Sequence, residues 1–236
     1  MLSIIVLIPG FLAAYLAFTQ TPQHAFIKVY LPVVLLIPNY YYWKPAVLPD
    51  PNFNEATSIA IIFVWLIRGA RDWRFTFTDV LVFGFAISIG YSEYLNAGYK
   101  ESQNLMFDMV AAVLFPYIMA KCFIEPNNLG IAFAKTFVIC LFIVAALSVH
   151  QFLSGGYYTI WQYAFGRFFG AVQGWGWATS YRWGFARISG PYGHAILACL
   201  MMVIAYRLQR WLEWNHAWPQ RLPQLAWLPI TIPNLL

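Results

Sequence analysis

Long apolar runs broken by short polar segments dominate this chain. A bilayer-spanning helix needs ~20 mostly apolar residues. Seven stretches meet or approach that requirement: 2–19, 26–40, 56–70, 77–95, 104–124, 132–153 and 191–209. The second is interrupted, because Pro32 and Pro38 flank VVLLI and neighbouring helices must satisfy the backbone groups they free. An eighth apolar run begins near Leu225 and is still continuing at Leu236, so 225–236 reads as the start of a truncated eighth helix. The pattern therefore predicts an all-α, polytopic integral membrane helical bundle. It forms a single transmembrane domain over 1–236, with seven transmembrane helices and the beginning of another.

Composition supports the same class. Hydrophobic residues make up 61% of the 236 and charged ones 10%, with a mean hydropathy of +0.61. Soluble domains carry about 25% charged residues, so much of this surface must be covered by lipid. Trp and Tyr gather near the ends of the runs, at Tyr40–Trp43, Trp73, Tyr157, Tyr158, Trp161, Trp211, Trp214 and Trp218. That is the interfacial aromatic belt of a membrane protein.

Charge changes the picture in two ways. The net charge of +5 is scattered through short loops with no dense basic patch, so nucleic acid is not an expected partner. The distribution also sets orientation. Lys28, Arg68, Arg71, Arg74, Lys121, Lys135, Arg207, Arg210 and Arg221 fall in one set of loops, and Lys44, Lys100, Arg167, Arg182 and Arg187 in the other. The richer set belongs in the cytoplasm. The N-terminus is then outside, with loops 41–55, 96–103 and 154–190. MLSIIVLIPGFLAAYLAF has no basic leader segment, so it reads as an uncleaved first helix.

Few residues inside the runs carry chemistry. Asp79, Glu93 and Asp108 are acids within predicted spans, which suggests ion coupling by default. Each lies close enough to a helix end to reach the interface instead. His24 and His216 fall in loops, and His150 near the outer end of the sixth run. Cys122, Cys140 and Cys199 are odd in number and lack CxxC spacing, so they read as small apolar residues. No HExxH or clustered ligand set exists, and no metal or cofactor is implied.

The outer loop 154–190 and its exit are richer. Glycines recur at 155, 156, 166, 170, 174, 176, 184, 190 and 193, interleaved with Phe168, Phe169, Trp175, Trp177, Tyr181, Trp183 and Phe185. Glycine permits irregular backbone and close approach of a ligand to N–H groups. Aromatic faces suit sugar rings and isoprenoid chains. Three arginines sit here against the general bias. Arginine offers a planar fork of donors matched to phosphate oxygens, although Arg167 and Arg182 could equally snorkel to lipid phosphates. The loop ends RISGPYGHA before the seventh run. Arg187, Arg182, Gly190, Gly193 and His194, beside a helix N-terminus, form a candidate pyrophosphate site. An interfacial loop that only packs is the alternative.

FARISGPYGHAILACLMMVIAY resembles the arginine-then-glycine motif opening the central domain of O-antigen ligase and O-antigen polymerase-like membrane glycosyltransferases. LPVVLLIPNYYYWKPAVLPDPNFNEA and FDMVAAVLFPYIMAKCFI are similar to that family's early and middle segments. The resemblance covers the N-terminal half of a typical member. It implies a glycan transferred from a polyprenyl-pyrophosphate donor to an acceptor at the outer face of the bacterial inner membrane, without a metal, with Arg187 binding the donor's pyrophosphate. Family members carry a further arginine and an acceptor-activating histidine in a second large loop. Its equivalent would lie beyond residue 236, so no general base is assigned here. A non-catalytic, shortened relative held among other membrane subunits is a second expectation, and a transporter is a third.

Overall fold

The structure, a computed structural model, describes residues 2–45, 49–70, 73–154, 160–169 and 181–218. The described part is mostly helical and divides into two compact units. One comprises 3–30 and 42–129, the other 31–41 and the chain from Gly130 onward.

In the first unit, a 3₁₀ segment (Leu2–Leu7) leads into α1 (Ile8–Thr19), followed by the short α2 (Pro22–Ala25) and a π-helical segment (Phe26–Tyr30). α4 (Phe53–Ile67), α5 (Phe77–Ala97), α6 (Tyr99–Asp108), a second π segment (Met109–Leu114) and α7 (Phe115–Phe123) complete it. α4 starts where it does because Asn52 and Glu55 form a capping box. The Asn52 side-chain oxygen accepts from the Asn54 and Glu55 N–H groups at 2.9 and 3.0 Å, and the Asn52 N–H donates to Glu55 Oε2 at 2.8 Å. α1 packs closely on α4 through Gly10, where a Cβ would stand 2.9 Å from the Ala56 carbonyl oxygen. At the far end, Arg68 donates to the Phe18 and Gln20 carbonyls at the α1 C-terminus, where the helix dipole favours a cation.

The second π segment has a local cause. Phe115 N–H bonds the Val110 carbonyl, and Pro116 has no N–H to offer the Ala111 carbonyl. The Ser58 hydroxyl of α4 donates to that carbonyl at 2.6 Å and restores the lost bond.

The second unit contains α3 (Leu31–Leu36), α8 (Gly130–Leu153), α9 (Ile160–Phe169), a two-stranded hairpin of β1 (Tyr181–Arg182) and β2 (Phe185–Ala186), and α10 (Ala195–Trp214). α8 is its spine. Ala134, Phe137, Val138, Leu141, Val144 and Ala145 recur at helical spacing on one buried stripe, clustered with Leu31 and Leu35 of α3 and Ala198, Met202 and Ala205 of α10. Pro38 is two residues beyond the end of α3. Two carbonyls of its last turn are then met by side chains: Trp161 Nε1–H donates to Leu36 at 2.6 Å and the Tyr192 hydroxyl to Leu35 at 3.2 Å.

Seven spanning stretches were expected, but among the described residues three helices are long and apolar enough to cross a membrane: Ser102–Phe123, Gly130–Leu153 and Ala195–Trp214. The reason is physical. Ser3–Thr19, Pro22–Leu36 and Phe53–Ile67 are apolar but shorter. α5 has 21 residues but includes Asp79, Ser88, Ser92, Glu93 and Asn96. The seventh stretch does not begin at 191, because the turn there delays the helix to Ala195. Segment 225–236 lies outside the described residues, as do Arg71, Arg221, Trp175 and Trp177. The loop 154–190, expected to be irregular, contains both α9 and the hairpin.

Candidate functional site

β2 hands the chain to Arg187 and Ile188, and a tight turn then feeds α10. The hairpin turns on two residues with positive φ, Trp183 (51°) and Gly184 (81°). Two such residues are what a right-twisted two-residue hairpin requires, and a bulky side chain rarely occupies the first place. Strand pairing sets Tyr181 opposite Ala186 and Arg182 opposite Phe185. Phe185 stacks on Phe152 of α8 with centroids 6.3 Å apart, which fixes the hairpin to the helical spine.

The turn after Arg187 is held from three directions. Tyr192 N–H donates to the Ser189 carbonyl at 3.1 Å and closes it. Gly190 has φ +58°, a conformation glycine adopts without steric cost, and a Cβ there would lie 3.3 Å from Ser148 Oγ. Its N–H donates to the Gln151 side-chain oxygen at 3.2 Å. The Tyr192 hydroxyl, bound to Leu35, ties the turn to α3. His194 then caps α10, its Nδ1 accepting from the Ile196 N–H at 3.2 Å.

The five expected anion-site residues therefore differ in circumstance. Arg187 is half-buried, and its Nε is fully buried without a hydrogen-bond partner. Arg182 is exposed on β1. Gly190 already uses its N–H on Gln151, and His194 already uses Nδ1 on its own helix. Gly193 is half-buried in the same turn. Among the other loop residues, Arg167 lies over the Tyr163 ring at 5.2 Å on the exposed side of α9. The buried side of α9 includes Phe169, which with Phe165 packs against Tyr41, at centroid distances of 4.8 and 5.3 Å. Burial pushes the Tyr41 hydroxyl above its ordinary value.

Sequence reasoning missed Gln151, whose side-chain oxygen accepts from the turn, and Ser148, which lies beside Gly190. Their signal was present: both continue the buried stripe of α8, where apolar side chains stand at every earlier position. A buried polar pair on such a stripe needs partners. Glu55 was also missed. It is buried in α4, and its Oε2 accepts from the Asn52 N–H at the start of that helix. Nearby, burial and then the Asp108 and Glu55 charges push the Tyr42 hydroxyl up to about 12. Asp79, another expected acid, is fully buried and answered on all sides. Lys121 lies 2.6 Å away, and the Tyr117 hydroxyl and the Thr76 N–H and hydroxyl donate to it. Glu93 is half-buried on α5.

Cys122, Cys140 and Cys199 are free thiols. Among the described residues no three His, Cys, Asp or Glu side chains converge on a metal position. No family model, curated protein or solved structure matches the chain.

Proposed function

We propose that this chain is a multi-pass membrane protein of the O-antigen ligase and polymerase-like type. It transfers a glycan from a polyprenyl-pyrophosphate donor to an acceptor at the outer face of the bacterial inner membrane. In this reading the shorter apolar helices cross as well, in a locally thinned bilayer. Together with α5 they bring the spans to seven, with the N-terminus outside and an eighth beginning near 225. Arg187 binds the donor's pyrophosphate and stabilises the charge that develops on it as the glycosidic bond breaks, a type of interaction that often dominates catalysis. Arg182 lies on the same hairpin as a second cation, and Gly190, Gly193 and His194 shape the turn.

One observation carries this reading. A guanidinium is costly to bury with an open N–H, and Arg187 has one, directly before a turn anchored by Gln151 and Leu35. An anion would satisfy it. Arg187→Ala in the full-length protein is expected to abolish glycan transfer while leaving membrane insertion intact, read by glycan-ladder gels of membranes from complemented cells. Normal transfer by this variant would remove the site assignment.

A second reading, a non-catalytic membrane subunit, is favoured by a different observation. Two N–H groups, that of Gly190 in the turn and that of Ile196 in the first turn of α10, are already engaged by Gln151 and His194. Under that reading Arg187→Ala leaves transfer unchanged and instead weakens recovery of partner subunits from solubilised membranes.

A further inference from the structure

The first unit contains a pocket of about 390 Å³ between α1 and α4, within the size range of ligand sites, ~300–1,000 Å³. Its floor is small: Gly10 and Ala14 of α1 face Ala56 and Ala60 of α4. Its walls are Phe11 and Phe63, which are 72% and 61% exposed and so continue into the outer apolar surface of the two helices. No ionisable side chain lines it. Hydrocarbon is the medium that covers exposed phenylalanines on a membrane helix, so a chain entering from that side meets no polar barrier.

One end is closed differently. Trp43, Pro49 and Pro51 complete the lining there. Lys44 follows Trp43 directly and is exposed, and Asp50 stands between the two prolines. The closing loop thus offers one cation and one anion beside an indole, the residue type that favours the membrane–water interface. That combination complements a headgroup with a phosphate and an ammonium.

We propose that the α1–α4 pocket is a binding site for one alkyl chain of a zwitterionic phospholipid, whose headgroup phosphate meets Lys44. The lipid fills the space left by the small-residue floor and acts as a fixed part of the first unit. The site is separate in chemistry from the arginine turn, and it does not depend on the glycosyltransferase reading.

The test uses the full chain, reconstituted in vesicles of phosphatidylethanolamine and phosphatidylglycerol and re-extracted into mild detergent. Native mass spectrometry then counts and identifies retained lipid. The parent is expected to keep a single phosphatidylethanolamine. Ala60→Trp, which fills the pocket, should lower its occupancy about tenfold, and the milder Ala14→Leu should lower it less. Leu81→Trp, on the exposed face of α5, should leave occupancy unchanged. Helical circular dichroism and gel-filtration elution establish that each variant is folded. A lipid-free parent, equal retention by the two folded pocket variants, or equal loss from Leu81→Trp would overturn the proposal. So would a dimer of this chain that Ala60→Trp dissociates, because it would assign the pocket to a second copy.

Discussion

In the unit built on α1 and α4, charged side chains answer one another. Lys121 of α7 meets Asp79 of α5. In the unit built on α8, Arg210 and Glu213 pair along α10, and neutral side chains fix the backbone around the turn. Trp161 and Tyr192 take the last carbonyls of α3, Gln151 takes the Gly190 N–H, and Arg187 keeps a buried N–H unanswered. The contrast separates two uses of polarity among apolar helices. Charges that are consumed in pairing hold helices together and have nothing left for a ligand. A charge placed beside a backbone already satisfied by neutral groups is available for chemistry.

The largest effect that could break this contrast is expected at Lys121. Lys121→Met leaves the buried Asp79 carboxylate without its cation. Removing one member of a buried pair costs more than removing both, so Asp79→Asn combined with Lys121→Met should recover most of the lost stability. Thermal unfolding in detergent, followed by circular dichroism, reads both. A single variant as stable as the parent would mean that the pair is not structural.

Gln151→Leu comes next. It strips the Gly190 N–H of its acceptor and should lower the stability of the second unit by about 1–3 kcal/mol, the cost of an orphaned buried donor. Hydrogen exchange at Gly190 should accelerate, and any function that depends on Arg187 should fall with it. Unchanged exchange would mean that the turn is held by Tyr192 alone.

The smallest effect is a gain. Trp183 adopts a left-handed backbone conformation that is unfavourable for a bulky residue and tolerable for asparagine. Trp183→Asn should stabilise the hairpin by about 1 kcal/mol, seen as slower proteolysis between β1 and β2. If the substitution instead reduces transfer, Trp183 holds its strained place because it touches substrate.

The apolar rhythm made the helical class legible, and the boundaries of Ser102–Phe123 and Gly130–Leu153 fall within two residues of the expected stretches. What the rhythm could not reveal is where an apolar run stops being one helix. Pro22 begins a new helix after α1, and Pro116 produces a π turn inside a continuous apolar segment. Apolarity is the same on both sides of such breaks, so counting apolar residues overestimates spans. The arginine turn was legible from its local residues, Arg187 through His194. Its supports were not, because Gln151 lies 39 positions from Gly190 and Leu35 lies 157 from Tyr192. Glu55 was passed over, although the Asn52 and Glu55 spacing already marked a helix start.

The hydroxyl of Ser58 that completes the Ala111 carbonyl also bears on the order of assembly. The donor lies 53 residues ahead of the acceptor, so during synthesis it leaves the ribosome first. By the time the π turn forms, α4 has already been made and the missing donor is present. The irregular turn never needs to wait in an apolar surrounding with its carbonyl bare. A circular permutant that placed α4 after α7 would reverse that order while keeping every contact of the finished fold.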